Sequence, residues 1–99
     1  MKEGYTVLAG FADKVEREIL DALRARGRQE DRVNLRLTYA FKDSLVTQSL
    51  THTPVSATSG KGLRETAQAF ATAVAIAAEC RNEKFKPDYL TLWFTFKGD

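Results

Sequence analysis

The chain has 99 residues, enough for one domain and too few for two. With 43% hydrophobic and 28% charged residues it belongs with globular proteins, which sets aside the disordered and fibrous classes. Fifteen basic and thirteen acidic residues leave a formal charge of +2, well short of the balance of a dedicated nucleic-acid binder, although a local patch counts for more than the total. A single cysteine, Cys80, excludes an internal disulfide and a multi-cysteine metal site.

The first element admits two readings. As a helix from about Thr6 to Arg26, it lines up Leu8, Phe11, Val15, Ile19, Ala22 and Leu23 on one stripe. Asp13–Arg17, Lys14–Glu18 and Arg17–Asp21 then stand at the four-residue spacing that supports helices, and Gly27 is placed to end it. As a strand, Tyr5, Val7, Ala9 and Phe11 alternate, and Asp13 with Glu16 opens a shorter helix.

The next element has one reading. From Val33 to Phe41 apolar and polar residues alternate without a break, so Val33, Leu35, Leu37, Tyr39 and Phe41 enter one core. Asn34, Arg36 and Thr38 face the other way. Such a pattern describes a sheet covered on one side and open on the other. Lys42-Asp43-Ser44 suits a hairpin turn into a second, more polar strand, Leu45 to His52. After it, residues 53–62 read as a mobile loop, because Pro54, Gly60 and Gly62 interrupt regular structure and few side chains can bury themselves.

A second helix runs from about Leu63 to Arg81, with Leu63, Ala67, Phe70, Val74, Ala77 and Ala78 on its core face and Ile76 and Cys80 widening it. Seven alanines between 67 and 78 favour helix and permit a close approach to its neighbour. Asn82 and Pro87 mark the exit. The last strand, Tyr89 to Phe96, buries Leu90, Leu92, Phe94 and Phe96 and turns Tyr89, Thr91, Trp93 and Thr95 outward.

With a strand first, the order is βαββαβ, the ferredoxin-like order, and the polar Leu45–His52 strand would sit in mid-sheet. With a helix first, the order is αββαβ and that strand lies at an edge, where polar residues are tolerated. The preferred architecture is therefore a single two-layer α+β domain. Two helices pack on one face of a mainly antiparallel three-stranded sheet.

Function is less legible than fold. Tyr89 and Trp93 are expected together on the open face near Arg36, where Trp, Tyr and Arg suit a protein interface or could stack nucleobases. Arg24, Arg26, Arg28, Arg32 and Arg36 lie within thirteen residues and could meet phosphates, while Arg24 and Arg26 also suit the negative C-terminal end of the first helix. Ser59-Gly60-Lys61-Gly62 is not a phosphate loop, since Val55 and Gly62 stand where that motif needs Gly and Ser or Thr. Lys61 at a helix start could still hold an anion. His52 and Cys80 have no evident catalytic companions, and no acid–base pair or metal-ligand cluster stands out. No h-region is clear at the start, and the uncharged run Ala69 to Ala78 is half a membrane span.

The expectation is a cytoplasmic, non-enzymatic module with no cofactor and no membrane contact. It binds a protein partner or itself, as a homodimer, through Arg36, Tyr89, Trp93 and Lys61. The alternative is an accessory nucleic-acid binder using the arginines and the aromatic sheet face.

Overall fold

The computed structural model describes residues 2–58 and 61–97, with residues 2–9 and Lys61 described by their backbone alone. The chain runs through α1 (Lys2–Ala25), β1 (Glu30–Ala40), β2 (Leu45–Ser56), α2 (Lys61–Cys80), a short 3-10 turn (Pro87–Tyr89) and β3 (Leu90–Phe96). The first segment is helical, so the order is αββαβ. The strand reading of residues 5–11 and the ferredoxin-like order fall away; the place of Leu8 in the stripe lies outside the described residues.

The three strands are all antiparallel, in the order β2-β1-β3. Both helices end in the same way. At Gly27 (φ 68°) the Gly27 amide donates to the Arg24 carbonyl and the Arg28 amide to that of Leu23. At Asn82 (φ 55°) the Asn82 amide donates to Glu79 and the Glu83 amide to Ala78. Each is a left-handed cap that satisfies the last carbonyls of its helix.

The core lies between the helix pair and one face of the sheet. Val33, Leu35, Leu37 and Tyr39 of β1 are at most 2% exposed, beneath Val15, Ile19 and Leu23 of α1 and Phe70 and Val74 of α2. Ala67, Ala71 and Ala78 are fully enclosed, and these small side chains let the helices approach closely. Arg64 of α2 clasps both Asp13 and Glu16 of α1, the Glu16 carboxylate at 3.4 Å. Both acids therefore serve the helix pair, in place of the expected Asp13–Arg17 pair within α1 and the expected opening of a shorter helix by Asp13 with Glu16. Their negative charge holds the Arg64 guanidinium proton more tightly than usual, through the hydrogen bond to Asp13 first.

Four expectations need correction. β2 continues through Thr53 to Ser56, so these residues are strand and not loop, and Val55 is 5% exposed. Cys80 and Ile76 are exposed, because the α2 stripe through Leu63, Ala67, Phe70, Val74 and Ala78 leaves them on the opposite side. Leu92 and Phe94 face the helices but stay half-buried at the sheet edge, while Leu90 and Phe96 close the core at either end of β3. Tyr89 belongs to the 3-10 turn and not to the strand.

The extension of β2 depends on a bulge. Val33 pairs with Thr53 and Leu35 with Leu50, so β2 carries one more residue than β1 across this interval. His52 takes a left-handed φ of 54°, its amide donates to the Asn34 side-chain oxygen at 3.1 Å, and its carbonyl accepts from Arg32 at 3.2 Å. The extra residue shifts the phase of the strand. Val46, Gln48 and Leu50 pair with core-facing β1 positions before it, and Thr53 with Val33 and Val55 with Asp31 after it. Pro54 is tolerated because it lies opposite Arg32. The β1–β2 bonds run through odd β1 positions, as in Ala57 N–H to the Gln29 carbonyl, so the Pro54 nitrogen faces the free edge.

Candidate functional site

The face of the sheet away from the helices is built from alternate residues. β1 contributes Arg32, Asn34, Arg36, Thr38 and Ala40; β3 contributes Thr91, Trp93 and Thr95; β2 contributes Leu45, Thr47 and Ser49. At its centre Arg36 pairs with Trp93 on one side and Ser49 on the other. The Arg36 guanidinium lies 5.5 Å from the Trp93 ring centroid. That contact favours both partners, through the ring quadrupole and by covering the arginine stem. Trp93 nonetheless keeps 56% of its surface exposed, and Leu45 keeps 65%. A groove of about 400 Å³ runs beside this pair, lined by Asn34, Arg36, Ser49, Thr51, Trp93 and Thr95.

A second, more polar hollow of about 750 Å³ continues at the same end of the sheet, bordered by Arg28, Glu30, Arg32, Pro54, Ser56 and Lys97. The Lys97 amide donates to the Arg32 carbonyl at 2.9 Å, which ties the end of β3 to β1 there.

The five clustered arginines do not act as one patch. Arg24 pairs with Asp21 at 3.6 Å. Arg26 and Arg28 both reach Asp31, at 3.8 and 3.3 Å, and Arg26 also lies over the Phe96 ring at 4.4 Å. Arg32 holds the bulge, and Arg36 covers Trp93. Asp31 is the hub of this end of the molecule. Its carboxyl is held below the usual carboxylate range, first by the Arg32 amide, which donates to it at 2.8 Å, and then by the Arg28 charge and hydrogen bond. Its side chain is 7% exposed, and it pairs across the sheet with Val55.

Tyr89 and Trp93 are separated. The Tyr89 ring lies 6.2 Å from that of Tyr39, which faces the helices, and Lys86 sits 5.3 Å from its centroid. Tyr39 also stacks on Phe85 at 5.6 Å and accepts a hydrogen bond from the Lys86 amide at 2.9 Å. Tyr89 is thus the exposed margin of an aromatic cluster at the far end of the sheet. Of the Ser59-Gly60-Lys61-Gly62 turn, Ser59, Gly60 and the Lys61 side chain lie outside the described residues.

Sequence reasoning missed Lys97, the Asp31 hub and the Asn34–His52 bulge. An asparagine facing a histidine across a hairpin carries no local signal, and Asp31 reads as one acid among many. Among the described residues no three His, Cys, Asp or Glu side chains gather as a metal site, and no helix is long and apolar enough to cross a membrane. No protein-family model matches the chain, and neither a curated protein nor a solved structure is significantly similar to it.

Proposed function

We propose that this chain is a non-enzymatic, cytoplasmic protein-binding module that docks through the open face of its sheet. The observation that carries the reading is Trp93. A tryptophan more than half exposed beside an arginine, on a sheet face that neither helix covers, has the composition of a binding hot spot. The Thr, Ser and Asn side chains around it offer hydrogen bonds without burying charge, which suits a surface that must also tolerate water. Self-association is one form this docking could take. The test is native mass measurement of the protein purified from its own cell, beside Trp93→Ala. A retained polypeptide or second copy that the substitution releases supports the reading; a complex indifferent to Trp93 counts against it.

One observation favours a second reading. Arg32 and Arg36 share the face with Trp93, and Lys97 joins them at its end. Single-stranded nucleic acid could stack on the indole while these cations meet phosphates. Its mark is affinity for labelled oligonucleotides that falls steeply between about 50 and 200 mM salt.

A further inference from the structure

The charge on the open face is segregated, and this specifies what can lie on it. Among the described residues, the only charged side chain around Trp93 is Arg36, flanked by Ser49, Asn34, Thr91 and Thr95. Two alternate positions along β1 stands Arg32, with Lys97 beside the adjoining hollow; Arg28 also borders that hollow but is paired with Asp31. Among the described residues, Glu30 is the one acid of that hollow that shares the β1 face, because Asp31 points to the opposite side and is held by Arg26 and Arg28. A second copy docked on this groove about a two-fold axis through Arg36 would set Arg36 against Arg36, with no carboxylate among the described residues of the groove to separate them. The complement of this surface is negative.

Resting on the protein-docking reading above, we propose that the occupant is an extended acidic polypeptide segment. It lays carboxylates on Arg36 and on the Arg32–Lys97 end, with an apolar side chain seated on Trp93. Arg36 and Arg32 are four residues apart on one strand, about 13 Å at the usual rise. An extended segment spans the same distance between side chains i and i+4, both on one side of its backbone. For a segment that runs antiparallel to β1, the motif that fits is Leu-x-Glu-x-x-x-Glu. The apolar residue lies two positions before the first carboxylate, on the Thr91 side of the indole.

Trp93 is the only tryptophan, so its own emission reports occupancy. The full chain is titrated with a twelve-residue peptide containing Leu-x-Glu-x-x-x-Glu, with the same peptide carrying Lys for Glu, and with a twelve-nucleotide oligothymidylate. The expected result is saturable binding of the acidic peptide alone. Anisotropy of the labelled peptide should show it weakened about tenfold or more by Trp93→Ala, and to a similar degree by Arg32→Gln with Arg36→Gln. Melting curves of the variants confirm that they fold. Equal binding of the acidic and basic peptides overturns the acidic occupant and leaves protein docking standing. So does a concentration-dependent dimer that Trp93→Ala dissolves. Tighter binding of the oligonucleotide overturns both and hands the face to nucleic acid. No response from any probe also overturns the proposal, while a partner retained in the native mass experiment would still uphold docking.

Discussion

β1 presents two faces that share one backbone and differ in what lies across from them. Val33, Leu35, Leu37 and Tyr39 are sealed under the helices, at most 2% exposed. Their neighbours Asn34 and Arg36 are exposed, and Thr38, between Thr47 and Thr91, is 9% exposed. The covered face determines whether the domain folds. The open face is largely relieved of that duty, since removing an exposed side chain there leaves no cavity, and so it can carry an exposed tryptophan. The comparison predicts that substitutions on the two faces have effects of different kinds as well as different sizes.

The sharpest test is at the centre of the covered face. Leu37 is 0% exposed and pairs with Gln48 and Leu92. Leu37→Ala should cost about 2–5 kcal/mol through lost burial and a residual cavity. That is a large part of the stability of a domain this size, on the order of 5–10 kcal/mol. Urea denaturation with the midpoint unchanged would mean that the faces are misassigned.

The next test lies where the two faces meet the bulge. Asn34 stands on the open face, yet it accepts the His52 amide and so helps set the phase that brings Thr53 and Val55 to the covered side. Asn34→Ala should destabilise by about 1 kcal/mol, the scale of one hydrogen bond. His52→Gly should be neutral or slightly stabilising, because glycine adopts the left-handed φ without strain. Destabilisation by His52→Gly comparable to that of Asn34→Ala would show that the imidazole itself is needed.

These elements also mark the limits of what the sequence reveals. The Val33–Phe41 alternation, the α2 stripe and the caps at Gly27 and Asn82 are local patterns with local causes, and they define the architecture. The bulge is not local. A one-residue slip at 51–52 looks in sequence like the end of a strand, and Pro54 reinforces that impression, although an edge strand accepts a proline whose nitrogen faces out. Tyr89 is misplaced for a related reason. Counting back by twos from Trp93 puts it on the open face, whereas Pro87 starts a 3-10 turn that breaks the period and swings the ring toward Tyr39. Trp93 and Arg36 were legible because both lie inside uninterrupted strand.

A narrower effect belongs to Asp31, on the covered side at the end of the sheet. The Arg32 amide and the Arg28 charge favour its ionised form, so its carboxyl titrates lower folded than unfolded. The stabilisation it provides is present above the unfolded value of 3.8 and is lost as pH falls through the lower folded one. Asp31→Asn should therefore lower the melting temperature at pH 7, and the gap to the parent protein should narrow as the pH is taken progressively below 3.8. A gap that stays the same across this range would show that Asp31 acts through shape and not charge.

The smallest effect on stability is expected from the residue given the largest role in binding. Trp93 projects from an edge strand with 56% of its surface exposed, and its inward neighbours Leu92 and Phe94 stay where they are when it is removed. Losing the Arg36 contact costs a few tenths of a kcal/mol to about 1 kcal/mol at an exposed site. Removing an exposed indole that keeps apolar surface in water offsets part of that. Trp93→Ala should accordingly shift the urea midpoint by less than about one-third of the shift caused by Leu37→Ala, while weakening capture on the open face about tenfold or more. A substitution that unfolds the domain would make the indole a structural element, and the distinction between a face that holds the fold and a face free to bind would fail at its centre.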